Sequence, residues 1–244
     1  MQTHSITHMD GRGVFHFKKN PASLTIEQIR EFTQIREIKA YKGQPHMPGF
    51  FYMTRTGGLV AYESRLEMFA LMQIDFNPST IAVISQPFIL HVTDGRDSFE
   101  HIPDFLTIST VKDITVVDVK PRAFVTKADN LRKFEGTEAA CEVAGWNYSV
   151  QSEPDRLFIE NLQWLAGYRR CPPTVNAYAE KLIEACEKRP LPLRELVSRV
   201  GPAALVRPVL FHLLWHRLLE IDMNAHLTNQ SLVDLPKEAF RHGV

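Results

Sequence analysis

Residues 113–120 read DITVVDVK, and residues 101–110 just upstream read HIPDFLTIST. The unbroken Ile-Thr-Val-Val character of the first run predicts a strand covered on both faces rather than one with a solvated side. The two-residue period puts Val116, Asp118 and Lys120 on one face and Val117 and Val119 on the other. A carboxylate and an ammonium then project together from the end of an otherwise apolar strand, where a charged pair is costly to bury without partners. The HIPDFLTIST run is expected as the neighbouring antiparallel strand, which brings Asp104 beside Asp118.

Outward from this pair, IAVISQPFILHV (residues 81–92) is β-branched and broken by Pro87, so it is expected to bend or to lie at a sheet edge there. Before it, a helix is expected from Tyr62 to Ile74, stopped by Asn77-Pro78. GFFYMTRTGGLVAY (49–62) reads as a hairpin with a primed turn at Gly57-Gly58. On the other side, KADNLRKFEGTEAACEVAG (127–145) reads as a helix closed by Gly145, and WNYSVQS (146–152) as a short strand. Helix, three strands, helix and strand make an α/β core with a mixed sheet.

The flanks are less regular. SLTIEQIREFTQIREIKA (23–40) has helical spacing at Leu24, Ile26, Ile29, Phe32 and Ile35, after a polar start. Past Arg169-Arg170 the texture changes, and Pro172-Pro173 marks a linker. Three amphipathic or apolar helices follow, over 175–189, 192–200 and 204–218, and then two weak strands around Leu219–Ile221 and Leu232–Val233. Three helices and a small β element form a winged-helix pattern. The expected domains are therefore 1–168, whose first 49 residues are an extension of unassigned role, and 169–244.

The chain has 244 residues, with 28 Lys+Arg against 28 Asp+Glu and 44% hydrophobic residues. That composition belongs to a globular protein and excludes disorder, a collagen-like repeat and a disulfide scaffold. Zero net charge also argues against a nonspecific polyanion coat. Residues 51–118 nevertheless carry four basic and nine acidic side chains, while 119–133 carry five basic and one acidic. An acidic block thus abuts a basic strip. No run of eighteen apolar residues suggests a membrane span, and the start has no apolar region of a secretory signal. Cys141, Cys171 and Cys186, odd in number and without C-x-x-C spacing, are expected as reduced thiols of a cytoplasmic protein, packed as small hydrophobes.

Carboxylates converging at one point favour a hard divalent cation held by oxygen, Mg²⁺ or Mn²⁺ rather than zinc. Glu63, at the expected start of the helix, is placed to point at Asp104 and Asp118. A lysine beside such a cluster is not a ligand. It orients water or offsets charge on a phosphate. The basic residues Arg122, Lys127, Arg132 and Lys133 would lie beside the site, where a nucleic-acid backbone could run.

Pro103-Asp104, thirteen intervening residues and Asp118-Val119-Lys120, with Glu63 upstream, resemble the PD-(D/E)XK nuclease signature. The wider text YESRLE, QPF, HIPDFL and VVDVKP is similar to the TnsA-type endonucleases of heteromeric transposons, over roughly residues 50–150. The resemblance implies a restriction-endonuclease-like core followed by a winged-helix-like domain. It implies that Glu63, Asp104 and Asp118 hold Mg²⁺, or Mn²⁺, and that Lys120 is the catalytic lysine. It further implies a prokaryotic, cytoplasmic enzyme that cuts one DNA strand at each transposon end. A DDE-type transposase subunit then handles the other strand, and an ATPase regulator is the further partner.

Each residue has a plainer role beside it. Glu63 could be a first-turn acid complementing the helix dipole, Glu67, one turn further, a substitute ligand or more simply a surface charge, Asp104 a turn residue after proline, and Asp118-x-Lys120 an edge-strand ion pair. Gln86 is expected to support the site or the sheet, and His101 either to approach a phosphate or to be solvated. His212 and His216, one helical turn apart, lack a third ligand and are expected on a packed or DNA-facing helix. His4 and His8 lie near a terminus where disorder is the default. No G-x-x-x-x-G-K-[ST] run supports ATP hydrolysis by this chain. Two other functions remain open: a stand-alone restriction or repair nuclease, and a binding module whose nuclease core is inactive.

Overall fold

A computed structural model of the chain describes residues 2–38, 47–95 and 97–237, with the backbone alone at Gln2 and Asp97. The chain divides into two compact units, one of Met1–Leu71 and Ser79–Glu153, the other of Met72–Pro78 and Pro154–Val244. The boundary thus falls at Glu153-Pro154 rather than after residue 168. The reason is the segment Arg156–Ala166, for which no element was expected. It is a helix whose Leu162, Leu165 and Ala166 are buried in the second unit's core.

The first unit opens with β1 (Gln2–Asp10) and β2 (Phe15–Lys19), followed by α1 (Ile26–Arg30) and β3 (Phe32–Thr33). The default of disorder for His4 and His8 is overturned: both lie in β1, which pairs along most of its length with a later strand. The helical periodicity of 23–40 is realised only over α1. Thr25 and Gln28 form a reciprocal capping box at its start. Phe32 and Thr33 leave the helix to pair with Asp10 and Met9 of β1, so strand pairing outweighs local propensity. The end of that expected helix lies outside the described residues.

β4 (Gly49–Met53) and β5 (Gly58–Tyr62) form the expected hairpin, but not through a two-residue primed turn. Met53 pairs with Gly58, which leaves four residues in the loop, and Gly57 takes φ 71° as its N–H closes on the Met53 carbonyl at 3.0 Å. α2 (Arg65–Phe76) starts three residues later than Tyr62 because Ser64 caps it: the Ser64 hydroxyl accepts from the Glu67 N–H at 3.2 Å.

The run 81–92 does more than bend at Pro87. β6 (Thr80–Ser85) belongs to a four-stranded sheet of order β11-β10-β9-β6, and β7 (Phe88–Asp94) to another of order β2-β1-β7-β8. Gln86-Pro87 is the switch between sheets, and Gln86 takes φ 46° there, a left-handed conformation unusual for a residue other than glycine. β8 (Asp97–His101) pairs with β7. β9 (Phe105–Ser109) runs antiparallel to both β6 and β10 (Ile114–Val119). α3 (Arg122–Val125) and α4 (Ala128–Ala144) then lead to β11 (Asn147–Gln151), parallel to β10. The sheet is therefore mixed. Val116, Val117 and Val119 are all buried, as a strand covered on both faces requires. Gly145 closes α4 at φ 71°, with Trp146 N–H bonded to the Cys141 carbonyl at 2.9 Å.

The second unit contains α5 (Arg156–Ala166), α6 (Val175–Cys186), β12 (Leu191–Pro192), α7 (Leu193–Val200), α8 (Ala203–Trp215), β13 (Glu220–Ile221) and β14 (Leu232–Asp234). The three strands of this set pair in the order β12-β14-β13, so Leu191–Pro192 adds a strand to the two expected. Its core joins Leu162, Leu182, Leu196, Val206, Leu210 and Trp215, with Phe76 packed on the Trp215 ring at 5.6 Å. His212 Nδ1 bonds the Tyr168 carbonyl at 2.9 Å and His216 Nε2 the Arg169 carbonyl at 3.0 Å, so both rings are packed structural groups. Cys141 and Cys186 are buried free thiols, but Cys171 is exposed, against expectation. Among the described residues no helix is long and apolar enough to cross a membrane.

Candidate active site

The register of the four-stranded sheet builds the site. Val117 of β10 faces Phe105 of β9, and Phe105 also faces Ser85 of β6. One step beyond those pairs, Gln86, Asp104 and Asp118 come level at one end of the sheet. The Gln86 N–H bonds the Asp104 carbonyl at 2.8 Å, and Asp104 Oδ2 accepts the Val119 N–H at 2.6 Å. Proline before Asp104 and the sheet switch at Gln86 end the ladder here, so carboxylates take the positions where pairing stops.

Asp118 is 2% exposed. Both its oxygens accept from His101 Nε2, at 2.8 and 2.9 Å, and Oδ2 also accepts the Tyr148 hydroxyl at 2.5 Å. His101 is therefore neither solvated nor aimed at a phosphate. It ends β8 and reaches across to β10. Tyr148 was not anticipated. It stands opposite Val116 in the parallel β10–β11 register, on the face that Asp118 shares, and that pairing was its only sequence signal. Burial, then the Asp118 charge, pushes its phenol well above the ordinary range, so it stays protonated and donates.

Asp104 is raised well above the usual carboxylate range, first by burial and then by the charges of Glu67 and Asp118, while the Val119 N–H and Lys120 pull the other way. The acid that reaches Asp104 from α2 is thus Glu67. Its own carboxylate accepts from the Glu63 N–H at 2.7 Å and from the Ser64 hydroxyl at 2.8 Å. Glu63 itself precedes α2, and its carboxylate is bound by Arg36 Nη2 at 2.8 and 2.9 Å. Arg36 also donates through Nε to Gln86 Oε1 at 3.2 Å, tying the extension to the sheet switch. Gln86, 3% exposed, is a supporting residue in this literal sense.

Lys120 is anchored by its backbone, which donates to the Gln151 carbonyl at 2.8 Å and accepts the Ser152 hydroxyl at 2.8 Å. At the same end of the sheet, Gln151 Oε1 is buried and has no hydrogen-bond partner among the described residues. The basic strip follows directly. Arg122 is exposed and bonded to Glu153, Lys127 caps the Phe124 ring at 4.3 Å, and Arg132 lies 5.0 Å from the Phe99 ring. Lys133 is half-buried on α4.

Among the described residues no three His, Cys, Asp or Glu side chains are arranged to hold a metal ion. The reason is visible in the partners: Asp118 faces His101 and Tyr148, Glu63 faces Arg36, and Glu67 caps its own helix. The chemistry of the donor set nonetheless fits a hard cation. Asp104, Asp118 and Glu67 offer only oxygen, and two of these charges raise the third. A divalent ion would relieve that repulsion. No family model matches the chain, and neither does any curated protein.

Proposed function

We propose that this chain is a Mg²⁺-dependent DNA endonuclease, the subunit of a heteromeric transposase that cuts one strand at each transposon end. The observation that carries the reading is the meeting of Asp104 and Asp118 at one end of a mixed sheet, within electrostatic reach of Glu67 and Lys120. Buried like charges are expensive, and functional sites are where such expense accumulates. The resemblance of 50–150 to TnsA-type endonucleases supports the narrower assignment, including a restriction-endonuclease-like first unit, a winged-helix-like second unit, a DDE-type transposase, an ATPase regulator and a prokaryotic cytoplasm as setting.

Asp104, Asp118 and Glu67 would hold the ion, with Glu67 taking the part that the resemblance gives to Glu63. When bound, Mg²⁺ or Mn²⁺ acts as a Lewis acid on a phosphate and lowers the pKa of a coordinated water. The chain's own residues do the rest. The Val119 N–H fixes Asp104, and His101 and Tyr148 fix Asp118, as hydrogen-bonded supports orient carboxylate ligands elsewhere. Lys120 offsets charge on the phosphate as the water oxygen bonds to phosphorus, the P–O3′ bond breaks and a proton passes to the leaving oxygen. Arg122, Lys127 and Arg132 line the approach of a phosphate backbone.

The test is cleavage of supercoiled DNA carrying the transposon ends, with Mg²⁺ or Mn²⁺ and the cognate transposase. Strand cutting that disappears in Asp104→Ala and Lys120→Ala is the expected result, and full activity in either variant refutes the site. Cutting without the partner points to a stand-alone nuclease. A second reading has its own observation: with both Asp118 oxygens engaged by His101 and Tyr148, the core suits an inactive module that binds DNA or protein. Absence of cleavage and of any metal-induced stabilisation selects it.

A further inference from the structure

The β1–β2 hairpin stands apart from the site just described. Among the described residues β2 is an edge strand of its sheet, with β1 on one side only. Its sequence, FHFKK over 15–19, alternates aromatic residues with polar ones, and Phe15 and Phe17 project to the same face. Phe17 is 71% exposed and Phe15 43%, with ring centroids 6.0 Å apart and planes only 22° apart. Scattered exposed apolar residues need no explanation, but two aligned rings on an open strand do.

The strand and its turn carry charge of one sign, although Glu31 lines the same cleft as Lys19. Arg12, Lys18 and Lys19 are exposed, and residues 11–20 contain no acid. Among the described residues none of these three cations is paired with a carboxylate. The neighbouring acid, Asp10, is spent inside the hairpin: Oδ1 accepts the Arg12 and Val14 N–H groups at 2.9 and 3.0 Å, and Oδ2 binds His16 at 3.0 Å. The same bonds order the tip, so the rings sit on a fixed platform. A bulge between Ile6 and His8 accompanies φ 46° at Lys18, whose N–H bonds the Thr7 hydroxyl at 3.3 Å. This turns the basic end of β2 relative to its aromatic start.

We infer that the β1–β2 hairpin is a binding surface for single-stranded nucleic acid, with Phe15 and Phe17 as stacking platforms for unpaired bases and Arg12, Lys18 and Lys19 against the phosphates. Exposed aromatic faces with uncompensated cations are the combination such ligands need. A duplex hides its base faces and offers only phosphates and groove edges. An apolar protein partner would leave three cations without a counter-charge. The inference goes beyond the nuclease reading and does not need it, because binding is measured with the metal removed.

The experiment is fluorescence anisotropy of a labelled single-stranded DNA of about twenty nucleotides, titrated with the full chain in EDTA beside the same sequence as a duplex. The single strand binds more tightly than the duplex. The double variant Phe15→Ser/Phe17→Ser loses about tenfold or more in affinity for it, with its melting temperature and its duplex affinity unchanged. Lys18→Ala/Lys19→Ala weakens binding and lowers the slope of log affinity against log salt by about 1.4, since each neutralised phosphate contributes about 0.7 on a single strand. Single-strand binding that is the same in wild type and the phenylalanine variant overturns the inference. So does a duplex preference, or a phenylalanine variant that changes only self-association.

Discussion

The two units spend burial differently. In the second, most buried side chains are aliphatic or aromatic; Asp75 is fully buried there too, while Asn161 donates to the Met223 and Ala225 carbonyls at 2.9 and 2.7 Å, and His212 to the Tyr168 carbonyl. In the first, the end of the four-stranded sheet buries Asp118 and Gln86, crowds Asp104 between two carboxylates, leaves Gln151 Oε1 orphaned and holds Gln86 at positive φ. A left-handed non-glycine backbone costs about 1–3 kcal/mol, and a buried unpaired acceptor about as much. Both units carry such concessions, as at His4 and His8 in the first and Arg217 in the second, but the first gathers several of them at one end of a sheet. Such concessions persist where they serve chemistry.

That contrast can be broken most sharply at the carboxylates. Asp104→Ala or Lys120→Ala should lower DNA cleavage by at least about a hundredfold, the scale of losing one preorganised electrostatic group, with cooperative unfolding retained. Equal rates in the variants would put the concession to no chemical use. In the second unit the order of effects reverses. Leu210, fully buried in its core, should cost about 2–5 kcal/mol on replacement by alanine, read from a urea midpoint. Cleavage per folded molecule should hardly change. Loss of activity without loss of stability there would place function in the wrong unit.

Smaller effects sharpen the picture. His101→Ala and Tyr148→Phe should each weaken Mn²⁺ affinity or cleavage by about ten- to a hundredfold, because they orient Asp118 rather than replace it. Indifference at both positions would reduce their bonds to packing. A last effect is a pH slope. Burial first, and then the His16 ring, lowers His8 from 6.5 to about 4. The folded chain keeps this ring neutral while the unfolded chain protonates it below about 6.5. Stability should therefore fall as pH drops from about 6.5 to about 4, with no further loss from His8 below that. His8→Phe should flatten that part of a melting-temperature profile.

The core was legible where periodicity and burial agree. Residues 114–119 are β-branched at every position but Asp118, so their strand needed no context, and Gly145 marked the end of α4. β1 was not legible, because its stretch QTHSITHMD offers one large apolar core residue, Ile6, and is held by ladders to β2 and β7. α5 went unrecognised although Leu162, Leu165 and Ala166 have helical spacing, because the doubled prolines further on drew the boundary to themselves. In the site, Asp104 and Asp118 could be brought together by a single antiparallel register. Choosing between Glu63 and Glu67 depends on where Ser64 caps α2, and that is a matter of one turn. His101 and Tyr148 reach Asp118 from a second sheet and from a strand thirty residues later, pairings that no local pattern encodes.

The central claim is that the carboxylates at the end of the β9–β10 pair form a cation site. Thermal unfolding of wild type and Asp104→Asn with and without Mn²⁺ tests it most directly. Asparagine keeps the bond from the Val119 N–H and removes a charge that burial and two acids disfavour, so without metal the variant should melt at a higher temperature at neutral pH. Mn²⁺ at a hundredfold excess over its dissociation constant should stabilise wild type by about 2.7 kcal/mol and the variant far less. No Mn²⁺ shift in wild type, or the same shift in both proteins, contradicts the account.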